Sequence, residues 1–261
     1  MREVEILRVD VSAKAVRKMR DFVAEEKPFS IRLNKVNYAT IFCSPTNLKE
    51  LVVGHLLSEG IVQSIDEIEE TIINVKGVCN VKLRRGVDVE KRLNQLKPFS
   101  RIIASACGGA ASPRQYLGKL PKITSNLKVK AEVILNCVGR LNTEAETFRR
   151  TGGVHAAATY TSNGHLLAFA EDVGRHNAVD KAIGITAQNK SDFGSCFLAL
   201  SGRLTGDITL KAAKVGIPIV ASSTAAVDSG ITIAKETCLT LIGFVRGKRL
   251  NIYNAPERIL L

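Results

Sequence analysis

The chain has 261 residues, with 37 Lys or Arg against 25 Asp or Glu, so its formal net charge is +12. Apolar residues make up 45% and charged residues 24%, which is ordinary globular usage and excludes a disordered chain or a disulfide scaffold. No stretch reaches the roughly 18 apolar residues of a membrane helix, and the start lacks the apolar region of a signal peptide. We therefore expect a cytoplasmic protein that contacts no membrane and prefers an anionic partner.

The first third of the chain predicts a small α+β unit. Short apolar-rich runs at 29–33 and 38–43 predict two strands, and Asn34-Lys35 between them is a hairpin signal. Asn47 is in the position of a helix N-cap, and Gly60 marks the end of the same helix. His55 lies on the apolar face of that helix, so we interpret it as a core histidine with one hydrogen bond.

Residues 84–130 are more polar and irregular, which is typical of a linker with an active loop. The six cysteines are widely spaced, so no C-x-x-C zinc pair is present. Cys107 differs from the others because it lies between small residues and is followed by Gly108 and Gly109. An exposed thiolate on such a loop is a nucleophile or a sulfur carrier, and a surface cysteine without a role is the alternative.

The rest of the chain alternates strands and helices, which predicts an α/β layer architecture. A helix is expected over 130–148, followed by a hairpin that turns at Asn163-Gly164. The next helix begins near Arg175. Short continuous apolar runs at 196–200, 217–221 and 239–245 are typical of parallel strands, and helices near 209–215 and 227–237 separate them.

Three polar segments, 152–155, 171–181 and 201–207, are expected at the carboxyl edge of this sheet, where α/β proteins bind ligands. The second segment contains two carboxylates, an Arg, a His and an Asn around one glycine. The third is typical of an anion cradle, because Gly202 and Gly206 allow close approach and Arg203 can bind a phosphate. The alternatives are a charged helix start for the second segment and a tight turn for the third.

A basic run, Arg246-Gly247-Lys248-Arg249, follows the strand that ends at Phe244-Val245. Such a loop can clamp a pyrophosphate, or it can simply keep the chain soluble.

Several of these segments resemble the formate dehydrogenase accessory sulfurtransferase family, FdhD. The resemblance rests on Thr151-Gly152-Gly153-Val154-His155, the run from Glu171 to Lys181, Ser201-Gly202-Arg203, and residues 240–247. Pro28-Phe29-Ser30-Ile31 and the stretch that begins at Ser44-Pro45 are similar to the amino-terminal unit of the family. The resemblance covers roughly residues 28–255.

This resemblance implies a fold and a function. The expected fold is α/β, with a three-layer cytidine-deaminase-like carboxyl-terminal domain over 106–261 and a smaller α+β amino-terminal domain over 1–105. The expected function is sulfur transfer with a cysteine persulfide intermediate. Cys107 would receive sulfur from a cysteine desulfurase and deliver it to a molybdenum or tungsten bis(molybdopterin guanine dinucleotide) cofactor for formate dehydrogenase. GDP is the expected surrogate ligand, and a homodimer is the expected assembly.

The resemblance also implies which residues contact the cofactor. They lie in the three polar segments and in the basic run: His155, Asp172, Arg175, His176, Asn177, Arg203, Phe244, Val245, Arg246, Gly247, Lys248 and Arg249.

The sequence departs from the family at the cysteine loop. The family loop usually reads C-G-x-C, whereas Ala110 occupies the second cysteine position here. An internal disulfide within this loop is therefore excluded, while a single-cysteine relay is still possible. The same departure leaves open a cofactor-binding chaperone that transfers no sulfur.

Two other functions fit the residues less well. A zinc deaminase needs H-x-E and P-C-x-x-C, but Ala178 stands where the Glu would follow His176, and residues 201–207 contain no cysteine. We therefore predict no zinc. Nucleic-acid binding rests on charge alone, and aromatic residues at 5% with no Trp are few for base stacking, so we predict no nucleic-acid partner.

Overall fold

A computed structural model of the chain describes residues 1–92 and 120–261. Cys107, Ala110 and the expected domain boundary at residue 105 lie outside the described residues. Within the described ranges, no helix combines the length and the apolarity needed to cross a membrane.

The amino-terminal region contains two sheets and helix α1. Strands β1 (Arg2–Asp10) and β2 (Ala15–Val23) form a separate antiparallel hairpin that the sequence analysis did not predict. A four-stranded sheet has the order β4-β3-β6-β5, and helix α1 connects β4 to β5. These elements are β3 (Lys27–Leu33), β4 (Val36–Cys43), α1 (Leu48–Glu59), β5 (Ile68–Ile73) and β6 (Val78–Leu83).

The predicted hairpin turn, helix end and N-cap position are confirmed, but the residue at the N-cap makes no capping hydrogen bond with its side chain. Asn34 and Lys35 both adopt positive φ, 46° and 73°, which a two-residue hairpin turn requires. Gly60 ends α1 with a φ of 76°. Asn47 precedes α1 in a left-handed conformation and makes no side-chain cap, because its backbone already turns away from the extended geometry that capping requires.

The carboxyl-terminal region contains a six-stranded sheet in the order β13-β12-β11-β10-β8-β9. Strands β10, β11 and β12 are parallel, as predicted, while β8, β9 and β13 run antiparallel to their neighbours. The elements are β7 (Val129–Lys130), α2 (Ala131–Glu144), α3 (Glu146–Thr151), β8 (His155–Thr161), β9 (Leu166–Asp172), α4 (Arg175–Gln188), β10 (Cys196–Leu200), α5 (Gly206–Val215), β11 (Ile219–Ser222), α6 (Asp228–Thr237), β12 (Thr240–Arg246), β13 (Arg249–Asn254) and β14 (Ile259–Leu260).

The helix predicted over 130–148 is two helices, α2 and α3, which meet at Ala145. The backbone of Ala145 is extended and its side chain is fully buried. The Glu171 carboxylate accepts hydrogen bonds from the backbone N–H groups of Thr147 and Phe148, at 3.0 and 2.8 Å. A distant carboxylate thus satisfies the free donors at the start of α3, which the local sequence does not reveal.

Helices cover both faces of the six-stranded sheet. Along β10, Leu198 and Leu200 face a core that includes α4 and α5, while Phe197 and Ala199 face a second core that includes α2. The first core continues without a break into α1 and the four-stranded sheet. The mixed α/β class is therefore confirmed, while the cytidine-deaminase likeness and the division into two domains stay predictions.

Helices α1 and α4 cross at two glycines. A Cβ on Gly54 would lie 1.7 Å from the carbonyl oxygen of Asp180, and one on Gly184 would lie 1.9 Å from that of Glu50. No other residue fits at such distances. This close crossing fixes α4 against the amino-terminal region and thereby sets the position of its first turn.

Candidate functional site

The three polar segments meet at one edge of the six-stranded sheet. Strand β8 is antiparallel to β10 and pairs Ala157 with Leu200, so β8 begins where β10 ends. His155 in turn pairs with Asp172 at the end of β9. The sheet register therefore brings residues 152–155, 171–181 and 201–207 to the carboxyl edge of the parallel strands, as the sequence analysis predicted.

A buried ion pair lies just beneath this edge. The Lys181 ammonium is 2.7 Å from Oδ2 of Asp172, and both side chains are 0% exposed. Oδ2 also accepts from the backbone N–H of Ser44, and Oδ1 accepts from Gly174 N–H and from the Asn177 amide. We refer to Ser44, Asp172, Asn177 and Lys181 as the Asp172 cluster.

The Asp172 cluster corrects one of the predicted cofactor contacts. The Asp172 side chain is buried and its carboxylate accepts only from protein donors, so it does not face a ligand. The Asn177 amide nitrogen donates to Asp172 and to the Phe42 carbonyl, both at 2.9 Å, but the residue is only partly buried, so its contact with the cofactor stays a prediction. Both residues hold the loop between β9 and α4 against the amino-terminal region. The contact between Ser44 and Asp172 has no local sequence pattern, because the two residues lie 128 positions apart.

A second buried cluster joins α1, α4 and α5. The Lys211 ammonium contacts Glu59 Oε1 at 2.6 Å, Asp180 Oδ1 at 2.9 Å and Ser58 Oγ at 3.0 Å. Burial acts to raise the pKa of Asp180, but the Lys211 charge and the interaction with His55 together outweigh burial and lower it. His55, which completes this Asp180 cluster, hydrogen-bonds Asp180 and Tyr38. The interpretation of His55 as a structural histidine is confirmed, with two partners instead of one.

Two arginines, Arg175 and Arg203, lie near each other at this edge of the sheet. A Cβ on Gly202 would lie 2.9 Å from Cβ of Arg175, so the glycine lets the Arg175 side chain lie over the loop between β10 and α5. Burial and the neighbouring Arg203 charge both lower the pKa of Arg175, and Asp207 offsets this only in part. Within residues 1–92 and 120–261, the buried Nε of Arg175 has no hydrogen-bond partner. These two guanidinium groups form an incompletely neutralised, positive surface.

His155 and Ser201 lie beside these arginines. Nδ1 of His155 is 3.3 Å from Oγ of Ser201, and this oxygen also accepts from the backbone N–H of Ala156 at 3.0 Å. Burial, followed by the charges of Arg175 and Arg203, lowers the pKa of His155, so its ring is neutral near pH 7. We refer to His155, Arg175, Ser201 and Arg203 as the arginine edge.

His176 lies in the first turn of α4, next to the arginine edge. Burial, and then the Arg175 charge, lowers the pKa of His176 to about 4. Its Nε2 is 4.0 Å from Oδ2 of Asp207 and makes no hydrogen bond to the described residues. The neutral ring is therefore available to a further partner.

The basic run forms the turn between β12 and β13 at the same edge of the sheet. Phe244 and Gly247 have positive φ values of 52° and 61°, and Phe244 N–H donates to the Thr224 carbonyl at 2.9 Å. The Arg246 guanidinium lies 5.2 Å from the centre of the Phe244 ring. The side chain of Val245 is buried in the second core, so its predicted contact with the cofactor is open only to its backbone. Arg246, Lys248 and Arg249 are exposed.

Four of the five cysteines in the described ranges are buried. Burial raises the thiol pKa of Cys43, Cys79 and Cys137 to about 11, and that of Cys196 to about 12. These four thiols are protonated at neutral pH and inert. Cys238 is exposed, but it precedes β12 and so lies at the opposite edge of the sheet.

The described parts of the chain also contain no group of three or more His, Cys, Asp or Glu side chains that could hold a metal ion. The donors at the arginine edge are cationic or neutral, which suits an anion.

The fold and the edge together define an α/β protein with a positively charged surface at the carboxyl ends of its parallel strands. The chain belongs to the FdhD/NarQ family, whose sequence model matches residues 24–260. This match confirms the family resemblance predicted from the sequence.

Relatives and a solved structure match over nearly the whole chain. The "Sulfur carrier protein FdhD" of Saccharolobus solfataricus is 40% identical over 243 residues, covering 92% of this chain and 91% of that protein. The protein of the same name from Shouchella clausii is 38% identical over 248 residues, covering 92% and 91%. A crystal structure of a protein assigned as a formate dehydrogenase accessory protein, from Desulfotalea psychrophila, superposes with a TM-score of 0.79 at 28% identity, covering 99% of this chain and 98% of that one.

Proposed function

We propose that this protein is a cytoplasmic sulfur carrier. It takes persulfide sulfur from a cysteine desulfurase onto Cys107 and passes it to a molybdenum or tungsten bis(molybdopterin guanine dinucleotide) cofactor, which formate dehydrogenase then receives. Membership of the FdhD/NarQ family and the sulfur-carrier name of its relatives support this proposal. In this proposal the protein acts as a homodimer.

The arginine edge is the observation that best supports the proposal. Arg175 and Arg203 lie close enough that one charge lowers the pKa of the other, a repulsion that a bound anion would relieve. The basic turn between β12 and β13 provides further cations at the same edge of the sheet. The cofactor contains two guanine nucleotide groups with negatively charged diphosphates, which match both positive surfaces.

Sulfur loading needs only one cysteine. The Cys107 thiolate attacks the terminal sulfur of the desulfurase persulfide, and the S–S bond of the donor breaks. The bonding electron pair leaves with the desulfurase thiolate, and the terminal sulfur stays on Cys107 as a new persulfide. Ala110 in place of a second cysteine does not prevent this step.

A cofactor-binding chaperone is the second candidate function. It would use the same edge to bind and protect the cofactor but would transfer no sulfur. The observation that favours it is Ala110, because the loop lacks the second cysteine that is usual in the family.

Mass spectrometry of the intact protein separates the two candidates. After incubation with a cysteine desulfurase and cysteine, we expect the wild type to gain a sulfur atom that a reducing agent removes. Cys107→Ala should gain none. Cys238→Ala is the matched control, because it removes an exposed thiol at the opposite edge, and it should gain sulfur like the wild type. If the wild type binds GDP but gains no sulfur, the chaperone function replaces the sulfur carrier.

A further inference from the structure

The His155–Ser201 contact can persist in either protonation state of the histidine. A serine hydroxyl can donate to a neutral ring nitrogen, and it can accept from a protonated one. The Ser201 oxygen has two lone pairs, and the backbone N–H of Ala156 uses only one of them. Protonation of His155 therefore needs only a rotation of the hydroxyl, without loss of the contact.

The charges around His155 come from three elements. Asp172 at the end of β9 favours the protonated ring, whereas Arg175 at the start of α4 and Arg203 in the loop after β10 oppose it. Asp172 is paired with Lys181, so the two arginines dominate together with burial. An anion that binds between the guanidinium groups would offset their field at the ring.

We propose that His155, Arg175, Ser201 and Arg203 form a proton-linked anion site, which binds a diphosphate group and takes up a proton at the His155 ring as it binds. The buried Nε of Arg175 is a donor without a partner among the residues that the structure describes, and such a ligand would satisfy it. The inference rests on the proposed function for the choice of diphosphate. The linkage rests on the position of His155, whose ring contacts Ser201 at 3.3 Å, while the next residue, Gly202, lies against Arg175 and precedes Arg203. By reciprocity, proton uptake makes anion binding tighter at low pH.

The chain has only four histidines, so NMR can follow each imidazole ring through a pH titration. Inorganic sulfate is the first probe, because it stays a dianion across the range. We expect sulfate to raise the pKa of His155 by about one pH unit. His165 is exposed in the turn between β8 and β9, and its titration should not change. If sulfate leaves the His155 titration unchanged, the inference is wrong.

Pyrophosphate tests the effect on affinity. We expect wild type and His165→Gln to gain about tenfold more affinity than His155→Gln when the pH falls from 8 to 5. The protonation of pyrophosphate itself contributes equally to all three proteins. Equal pH dependence in the three, or no binding of pyrophosphate to the wild type, would overturn the inference.

Arg203→Gln provides a second test that leaves His155 in place. Because one opposing charge is gone, the pKa of His155 in the free variant should be higher than in the wild type, and sulfate should change it less. An unaltered His155 titration in this variant would contradict the linkage. Sulfur loading on Cys107 is measured separately, so failure of the proposed function and failure of this inference give different results.

Discussion

The buried clusters and the arginine edge use charge in opposite ways. In the Asp172 and Asp180 clusters, each buried carboxylate has an ammonium group within 3.0 Å and further hydrogen-bond donors. At the arginine edge, the charge of Arg203 lowers the pKa of Arg175, and the buried Nε of Arg175 has no partner in the described chain. Charged groups whose hydrogen-bonding capacity is filled by other residues hold elements together, whereas charged groups with unfilled capacity are available to a ligand.

This difference identifies which charged residues of the segment 171–181 can act on a ligand. Asp172, Asp180 and Lys181 are buried and fully paired, so their role is to position the start of α4. Arg175 and His176 project from that start with free donor or acceptor capacity. We therefore expect substitutions in the two buried clusters to lower the stability of the fold. Substitutions at the arginine edge should instead weaken the binding of an anion.

The largest expected effect is that of Lys181→Met. This substitution keeps the length of the side chain but leaves the Asp172 carboxylate buried without a counter-ion, so we expect the free energy of unfolding to fall by about 3–5 kcal/mol. Urea denaturation measures the change. The matched control is Lys235→Met at an exposed position in α6, which should change stability by less than about 0.5 kcal/mol. Similar losses in the two variants would contradict the structural role of the pair.

We expect Asp180→Asn to have an intermediate effect on stability, and we expect that effect to depend on pH. The pKa of Asp180 in the folded protein is lower than its ordinary value of 3.8, so its contribution to stability is present above that pH and is lost as the pH falls below it. We expect the variant to be about 2 kcal/mol less stable than the wild type at neutral pH, and the gap to shrink in acid.

Urea denaturation at a series of pH values tests this expectation. Asp228→Asn, at an exposed site in the first turn of α6, serves as the control and should follow the wild type. Parallel loss of stability in wild type and Asp180→Asn throughout the acid range would show that the Lys211–Asp180 pair does not favour the folded state.

The smallest effect on stability is expected for Arg203→Gln. Removing one of two like charges relieves repulsion at Arg175, so the free energy of unfolding should change by no more than about 0.5 kcal/mol. Added pyrophosphate should raise the melting temperature of the wild type more than that of the variant, because a ligand stabilises only the form that binds it. If the variant without ligand loses more than about 1 kcal/mol of its free energy of unfolding, Arg203 stabilises the fold, which contradicts its assignment to the arginine edge.

The sequence predicted the elements well where the signal is local. Asn34-Lys35 and Gly60 have the backbone angles that their turn and helix end require, and the three parallel strands follow continuous apolar runs. The β1–β2 hairpin was missed because its strands are mostly exposed and highly charged, which hides the apolar alternation. The break at Ala145 was missed because the carboxylate that caps α3 comes from Glu171, in another strand.

The sequence by itself determined the order of strands and helices from β8 to β12, the family, and the edge at which the polar segments meet, because carboxyl ends of parallel strands share one side of a sheet. Only the tertiary structure decided which charges in those segments are buried. The Asp172 carboxylate pairs with Lys181 of the same segment but also accepts a hydrogen bond from Ser44, far away in the chain. The Asp180 carboxylate contacts His55, Ser58 and Lys211, which all lie outside its segment. Burial and pairing depend on residues far apart in the chain, so no local pattern distinguishes Asp172 from Arg175.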